Sequence, residues 1–346
     1  MKKKMLFLLA GVLVIIIAGC NQPKKEKQEG LTVLSKNIEY DVTINNFIYN
    51  RDDGLVENAE LWYGNNLESS VRLAYVDMLF KKALSGKLEL TDVNGKAMDT
   101  IQLKGLLTII DTVHLWKNND PKQGKDTIIF NTIKPAEITA LRFRENWSYD
   151  PKTMAITKEV VAVAPIKTEI SRNKDFVEEY RNKRLLFWVK PTKEAGYSKL
   201  LTKRIVYGVD FYGLRNFSFI LNADTVAFKN YWNLLYKAID SGKIIAYNYG
   251  CEDLPNVQVS VKDWEKNQKH FDANSNAKLA GFKFVEEWSF DEQSMLITKK
   301  VVGLAPEHRV LDANGELKGY AMGMWVYFSD VWMPFDGKLE FKNLKK

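Results

Sequence analysis

A chain of 346 residues with 46% apolar and 27% charged side chains can bury a sizeable core, which excludes a disordered or low-complexity protein. Its net charge of +7 becomes +4 once Lys2, Lys3 and Lys4 leave with the leader described next (47 basic against 43 acidic side chains), too little to point to nucleic acid. The 2 cysteines, Cys20 and Cys251, make no disulfide framework, and Cys251 is expected to be buried and inert.

The chain opens "MKKKMLFLLAGVLVIIIAGC". Lysines precede an apolar run from Met5 to Ile17 that is short for a membrane span and ends in small residues, the pattern of a secretory signal. Ile17-Ala18-Gly19-Cys20 resembles a bacterial lipobox, with isoleucine where leucine is usual. The resemblance implies that residues 1–19 are removed and that Cys20 carries palmitate or a similar acyl chain. An ordinary secretory signal with a chance cysteine is the plainer alternative. Residues 20–33 follow as a polar, basic tether without periodicity. We therefore expect lipid attachment to a membrane. A basic rather than acidic stretch after the cysteine favours an outer-membrane protein facing the periplasm.

From Leu34 the chain contains four segments that recur later in the same order. "LSKNIEYDVTINNF" from Leu34 returns as "LTKRIVYGVDFYGL" from Leu201. Next, Leu73, Val76, Phe80 and Ala83 fall on one helical face that ends at Gly86; Phe228, Tyr231, Leu235 and Ala238 repeat this before Gly242, with Asp224 as a plausible N-cap. The third segment, "WSYDPKTMAITKEVVAVAP" (147–165), returns as "WSFDEQSMLITKKVVGLAP" (288–306) with 11 of 19 positions identical. With the alternating residues before it, each copy reads as a hairpin: a turn near Asp150-Pro151-Lys152 or Asp291-Glu292-Gln293, then return strands Met154–Val163 and Met295–Leu304. Pro165 and Pro306 are expected to stop the ladder. Short apolar strands close each unit, "LLFWVKP" at 185–191 and "GMWVYF" at 323–328.

The offsets between copies, 167, 156, 141 and 137 residues, make the first unit longer, with the surplus expected in loops such as "LWKNNDPKQGK" and "SRNKDFVEEYRNKR". The expected fold class is α+β, as two homologous tandem domains at 34–200 and 201–346. Each would have a mixed or antiparallel sheet, one main helix and a core of its own.

Chemistry-bearing motifs are few. His114, His270 and His308 lack metal-ligand spacing, no nucleophile elbow or phosphate loop appears, and the acidic residues around Cys251 read as a solvated loop. The expectation is no enzyme activity, no cofactor and no metal. Trp147, Trp288, Trp188 and Trp325 recur at matching positions, as core residues or, less simply, as interface anchors. In "DVWMPF", without a counterpart in the first unit, Trp332 and Phe335 are the better interface candidates.

The ordered set of motifs resembles the gliding-motility and type IX secretion protein GldN, or PorN, family. Lys203-Arg204-Ile205 with Val209-Asp210-Phe211, Trp288 to Asp291, Val301 to Pro306 and Trp325 to Phe328 carry the resemblance in the second unit, which fits best. Trp147 to Asp150, Val160 to Pro165 and Leu186 to Val189 carry it more loosely in the first. The resemblance implies a non-enzymatic structural or assembly component that partners a GldK- or PorK-type ring lipoprotein or other secretion-machinery subunits. The chain departs from the family pattern in its two copies and its own lipid attachment site. Four Asp-Thr-aliphatic triplets, at Thr100, Thr112, Thr127 and Thr225, look like the O-glycosylation triplet of bacteria that carry this family. The alternative function is a glycan- or peptide-binding lipoprotein with an exposed aromatic platform. An enzyme with a site assembled from distant residues is the third class.

Overall fold

The structure is a computed structural model that describes residues 30–45, 47–50, 54–57, 67–117, 120–172, 178–190, 198–212, 220–247, 258–260, 279–312 and 314–328. The unit that begins at Thr32 is compact. Its first elements are β1 (Thr32–Thr43), β2 (Phe47–Asn50), β3 (Gly54–Glu57), α1 (Ser69–Leu84), β4 (Leu90–Thr91), α2 (Thr100–Leu107), β5 (Thr108–Lys117) and β6 (Asp120–Thr132). Then come β7 (Ile138–Tyr149), β8 (Ile156–Arg172), β9 (Glu178–Leu185), β10 (Trp188–Val189) and β11 (Ser198–Asp210). The remaining elements are α3 (Thr225–Asp240), β12 (Ala246–Tyr247), β13 (Gln258–Val259), β14 (Leu279–Asp291), β15 (Ile297–Leu311), β16 (Leu317–Met322) and β17 (Trp325–Tyr327). The fold is α+β and dominated by antiparallel sheet; β2 and β8 pair in parallel.

Six strands run side by side as β1-β7-β8-β15-β14-β11. Residues 32–197, here the first half, supply the first three, and residues 198–328, the second half, supply the others. The junction expected at Leu200 to Leu201 falls inside β11. At the centre, Lys158 of β8 lies opposite Lys299 of β15, its own counterpart in the repeat.

Registers correspond residue by residue. Tyr40 faces Phe143 and Tyr207 faces Phe284, with shifts after Val33 and Ser35 matched by shifts after Leu200 and Thr202. The hairpin ladders shift between Arg144 and Glu145 and again between Val285 and Glu286. In a flat sheet the outer strands of six would lie about 24 Å apart. Yet the hydroxyl oxygens of Tyr40 on β1 and Tyr207 on β11 are 3.1 Å apart, so the sheet is strongly curled.

This curl corrects the expectation of a separate core in each repeat. One cluster of buried side chains takes in Tyr40, Phe143 and Trp147 together with Tyr207, Phe284 and Trp288. The helices cross over as well: α1 packs against β11, and α3 packs against β1. Of the predicted helical faces, Val76, Phe80 and Ala83 are buried on α1, where Leu73 is half-buried, and Phe228, Tyr231, Leu235 and Ala238 are buried on α3. The Asp224 carboxylate accepts from the Val226 and Ala227 N–H groups, as an N-cap should. After each helix a glycine takes the left-handed conformation, Gly86 at φ 72° and Gly242 at φ 70°, where a side chain would be strained.

Two local expectations fail. Pro165 and Pro306 do not end their strands: β8 runs on to Arg172 and β15 to Leu311. Pro165 falls where the neighbour of β8 changes from β10, at Val163, to β9, at Ile166; its carbonyl accepts from Leu186 N–H and no ladder donor is required of it. Pro306 sits at the same change from β17 to β16 and accepts from Gly323 N–H. The segments expected to be loops also pair, as the β5–β6 hairpin, a sheet of its own, and as β9 on the extension of β8.

The reciprocal packing is tied down at the two hairpin turns. Met154 and Met295 both sit at φ 60°, and their carbonyls accept from tyrosines on the helix of the other half: Tyr231 donates to Met154 O and Tyr75 to Met295 O, each at 2.8 Å. Since each half completes the other, urea unfolding should be a single transition. Tyr75→Phe and Tyr231→Phe should each lower its midpoint by the equivalent of about 1–3 kcal/mol, the cost of a buried acceptor left unpaired. Two separated transitions, or no shift in either variant, would contradict this account.

Candidate functional site: a buried cluster shared by both halves

The third strand of each half brings a lysine into the curled sheet. Lys158 and Lys299 alternate with exposed Glu159 and Lys300, so the strand period of two turns each inward, among aromatic rings. Their charged ends are fully buried. Lys158 Nζ lies 2.7 Å from Glu286 Oε1 and Lys299 Nζ lies 2.8 Å from Glu145 Oε1, so each ion pair joins one half to the other.

The other carboxylate oxygens are also occupied. Glu145 Oε2 accepts from Tyr40 O–H and from the Trp147 indole N–H, both at 2.6 Å. Glu286 Oε2 accepts from Tyr207 O–H and Trp288 N–H, both at 2.7 Å. Lys299 donates to Tyr40 at 3.0 Å and Lys158 to Tyr207 at 3.1 Å. Aromatic faces complete the cage: the Lys158 ammonium is 3.2 Å from the Phe284 ring centroid, and the Lys299 ammonium is 3.1 Å from that of Phe143.

Burial pulls the Lys158 ammonium down to about 8, with Glu286 and Glu145 opposing the fall, so it remains mostly charged at neutral pH. Burial lowers Lys299 in the same way. For Glu286, burial alone would raise the carboxyl, but Lys158 and Lys299 hold it below the usual carboxylate range. Burial, then the neighbouring glutamates, push Tyr40 and Tyr207 well above the usual phenol range, which keeps both as donors. Two cations and two anions cancel within this cluster. Its groups are closed to solvent and bonded to each other, an arrangement suited to joining the halves and unsuited to receiving a substrate.

Sequence reasoning missed this cluster. The signal was present: a glutamate two residues before each repeated tryptophan, and a lysine inside each repeated "ITK" strand. The four repeated tryptophans, Trp147, Trp288, Trp188 and Trp325, are all buried, as core residues should be. They therefore cannot form the exposed platform of the ligand-binding alternative.

Cys20, Cys251 with its neighbouring acidic residues, His270, Trp332 and Phe335 lie outside the described residues. Of the triplet threonines, Thr100 and Thr225 open helices whose N-caps are Asp99 and Asp224, which gives those two aspartates a local role. Thr112 and Thr127 lie on β5 and β6. His308 is buried against Trp232, and no group of residues that could hold a metal ion occurs among the described residues. No helix among the described residues is long and apolar enough to cross a membrane.

Outside the core, the two halves differ. The first carries charge on its outer strand face: Arg142 pairs with Asp41, Arg144 with Glu39, and Arg144 also lies over Trp188. At matching positions the second has Lys283, which pairs with Glu307, and Gly208, Val285 and Val206; the apolar cluster of Val285, Val302, Ala305 and Trp325 there is larger than that of Ala162, Ala164 and Trp188 in the first. The β5–β6 hairpin belongs to the first half and exposes Ile110, Ile128 and Phe130. Ile110 stands opposite Phe130, and Ile128 is two residues along the same strand, so all three share one face.

The described residues thus form a strand–helix–hairpin unit that recurs about one closed polar core. Residues 34–192 match the family described as "Gliding motility associated protein GldN", so this stretch of the chain is similar to that family. The match falls on the first unit, although the motif comparison favoured the second. No curated protein matches the chain.

Two measurements follow from the cluster. Lys158→Met strands a buried carboxylate and should cost about 3–5 kcal/mol in chemical unfolding, whereas Lys158→Met with Glu286→Leu should recover most of it, since an apolar pair can replace a buried ion pair. Because the folded pKa of Glu286 lies below the unfolded one, its stabilisation is present above about pH 4.3 and is lost as pH falls toward the folded value. Melting temperature should therefore fall less steeply in Glu286→Gln than in the wild type as pH drops from 6 to 3. Equal slopes would mean that Glu286 is not held ionised.

Proposed function

We propose that this protein is a non-enzymatic structural component of the gliding-motility and type IX secretion machinery, held by a lipid on Cys20 at the periplasmic side of the outer membrane. The observation that carries the reading is the GldN family match over residues 34–192. The likeness of that stretch to the family is what points to the machinery. The non-enzymatic part rests on the cluster, where the strongly shifted lysines and tyrosines are consumed by contacts between the halves. The lipid and the location rest on the leader, its Ile-Ala-Gly-Cys end and the basic tether. O-glycosylation at Thr100, Thr112, Thr127 or Thr225 belongs to the same reading.

The partner in this reading is a subunit of the same machinery, a GldK- or PorK-type ring lipoprotein first. The exposed face of Ile110, Ile128 and Phe130 offers such a subunit three apolar side chains in one patch. Pull-down of the tagged full chain from detergent-solubilised envelope should recover a secretion-machinery subunit, and Phe130→Asp should reduce that recovery without lowering the melting temperature. Cys20→Ser should release the protein from membranes into the soluble fraction. Recovery of no machinery subunit would overturn the assembly reading, and continued membrane retention of Cys20→Ser would overturn the anchor alone.

A further inference from the structure

The contacts that join the halves are made by corresponding residues on both sides. Lys158 crosses to Glu286 as Lys299 crosses to Glu145. Tyr75 crosses to Met295 O as Tyr231 crosses to Met154 O. Trp147 meets Phe284 edge-on at 5.1 Å, and Trp288 meets Phe143 edge-on at 5.2 Å. Tyr75 packs on Phe290 at 5.2 Å, and Tyr231 packs on Tyr149 at 5.0 Å. Where the axis of this exchange would pass, counterparts face each other directly: Lys158 opposite Lys299, and the Tyr40 hydroxyl beside that of Tyr207. In an interface between identical subunits this pattern, i to j and j to i, is the mark of two-fold symmetry.

We propose that the interface is self-complementary: the partner it fits is an equivalent half, so the first half can pair with a second copy of itself through the contacts it now makes with the second half. Everything the second half offers at the cluster is matched in the first. Tyr40 stands for Tyr207, Phe143 for Phe284, Glu145 for Glu286, Trp147 for Trp288 and Lys158 for Lys299. A pair of first halves would therefore hold two lysines and two glutamates, neutral and fully bonded as here. The outer faces have diverged while this inner set has kept every side-chain type, as expected if the pairing itself is the constraint. On this proposal the two halves pair as two subunits would, and the residues that specify the pairing lie within each half. This inference is independent of the secretion reading and survives or fails without it.

The test starts from the full chain with a site-specific protease sequence placed between residues 191 and 197. After folding and cleavage, the halves should remain together as one species in size-exclusion chromatography and native mass spectrometry. The cleaved protein is then unfolded in guanidinium and refolded. We expect the original pair of unlike halves and, beside it, a pair of first halves. Lys158→Met separates this from any other association. It removes both lysines from the pair of first halves but only one from the original pair, so it should depress the like pair relative to the unlike pair by about tenfold or more. A refolded sample with unlike pairs and single halves only would overturn the proposal. So would a like pair that Lys158→Met leaves at its former proportion, because another surface would then be responsible.

Discussion

Two buried lysines, each neutralised by a glutamate from the other half of the chain, set how this protein is put together. Removing an ammonium and a carboxylate from water costs several kcal/mol per ion, and their attraction repays that only with good geometry and with every remaining polar atom bonded. Here both conditions hold, since each glutamate also takes a tyrosine and an indole donor. The net contribution to stability is small compared with its contribution to register. A slip of β8 against β15 by one residue would turn Lys158 to the opposite face and leave Glu286 facing apolar rings. The curl of the sheet follows from the same requirement. Tyr40 and Tyr207 start on the two outer strands, yet both must reach the centre to complete the carboxylate shells.

The ends of the hairpins answer to the same pairing. Met154 and Met295 adopt a left-handed backbone that costs a non-glycine residue about 1–2 kcal/mol. That turn presents a carbonyl to a tyrosine on the helix of the opposite half. Asp150 and Asp291 hold the turns from within by accepting backbone N–H groups two residues on. Backbone N–H bonds, opposed by slight burial, draw the Asp150 carboxyl below its usual range. The strained turn, the helix and the central lysine thus act as one device, made twice.

Local signals in the sequence were sufficient for α1, α3 and the two hairpins, though not for α2, β5, β6 or β9. Helical spacing found α1 and α3, aspartate and proline found the turns, and Gly86 and Gly242 marked the helix ends. What failed was everything that depends on long-range partners. A lysine in a strand of alternating residues reads as an outward polar residue until its acid is known, and the acid of Lys158 lies far along the chain at Glu286. A proline reads as a strand stop until one sees that β8 changes neighbours there. The repeat was legible as two copies, but its consequence was not. Two similar segments suggest two cores, and only the exchange of α1 and α3 shows that each segment supplies part of the other's core.

The contrast between the conserved interior and the divergent exterior bears on how such a module is used. If both outer faces served the same partner, the ion pairs of Arg142 and Arg144 in the first half would be expected at Lys283 and Val285 in the second. Instead the two arginine ion pairs on one side give way on the other to a single pair, Lys283 with Glu307, beside a larger apolar cluster around Val285 and Trp325, and the Ile110–Phe130 hairpin arises in the first half. A pair of identical subunits must present each face twice. Joining the halves in one chain removes that restriction, because each outer face can change while the shared centre does not. The single chain therefore carries two different outer faces about one shared core.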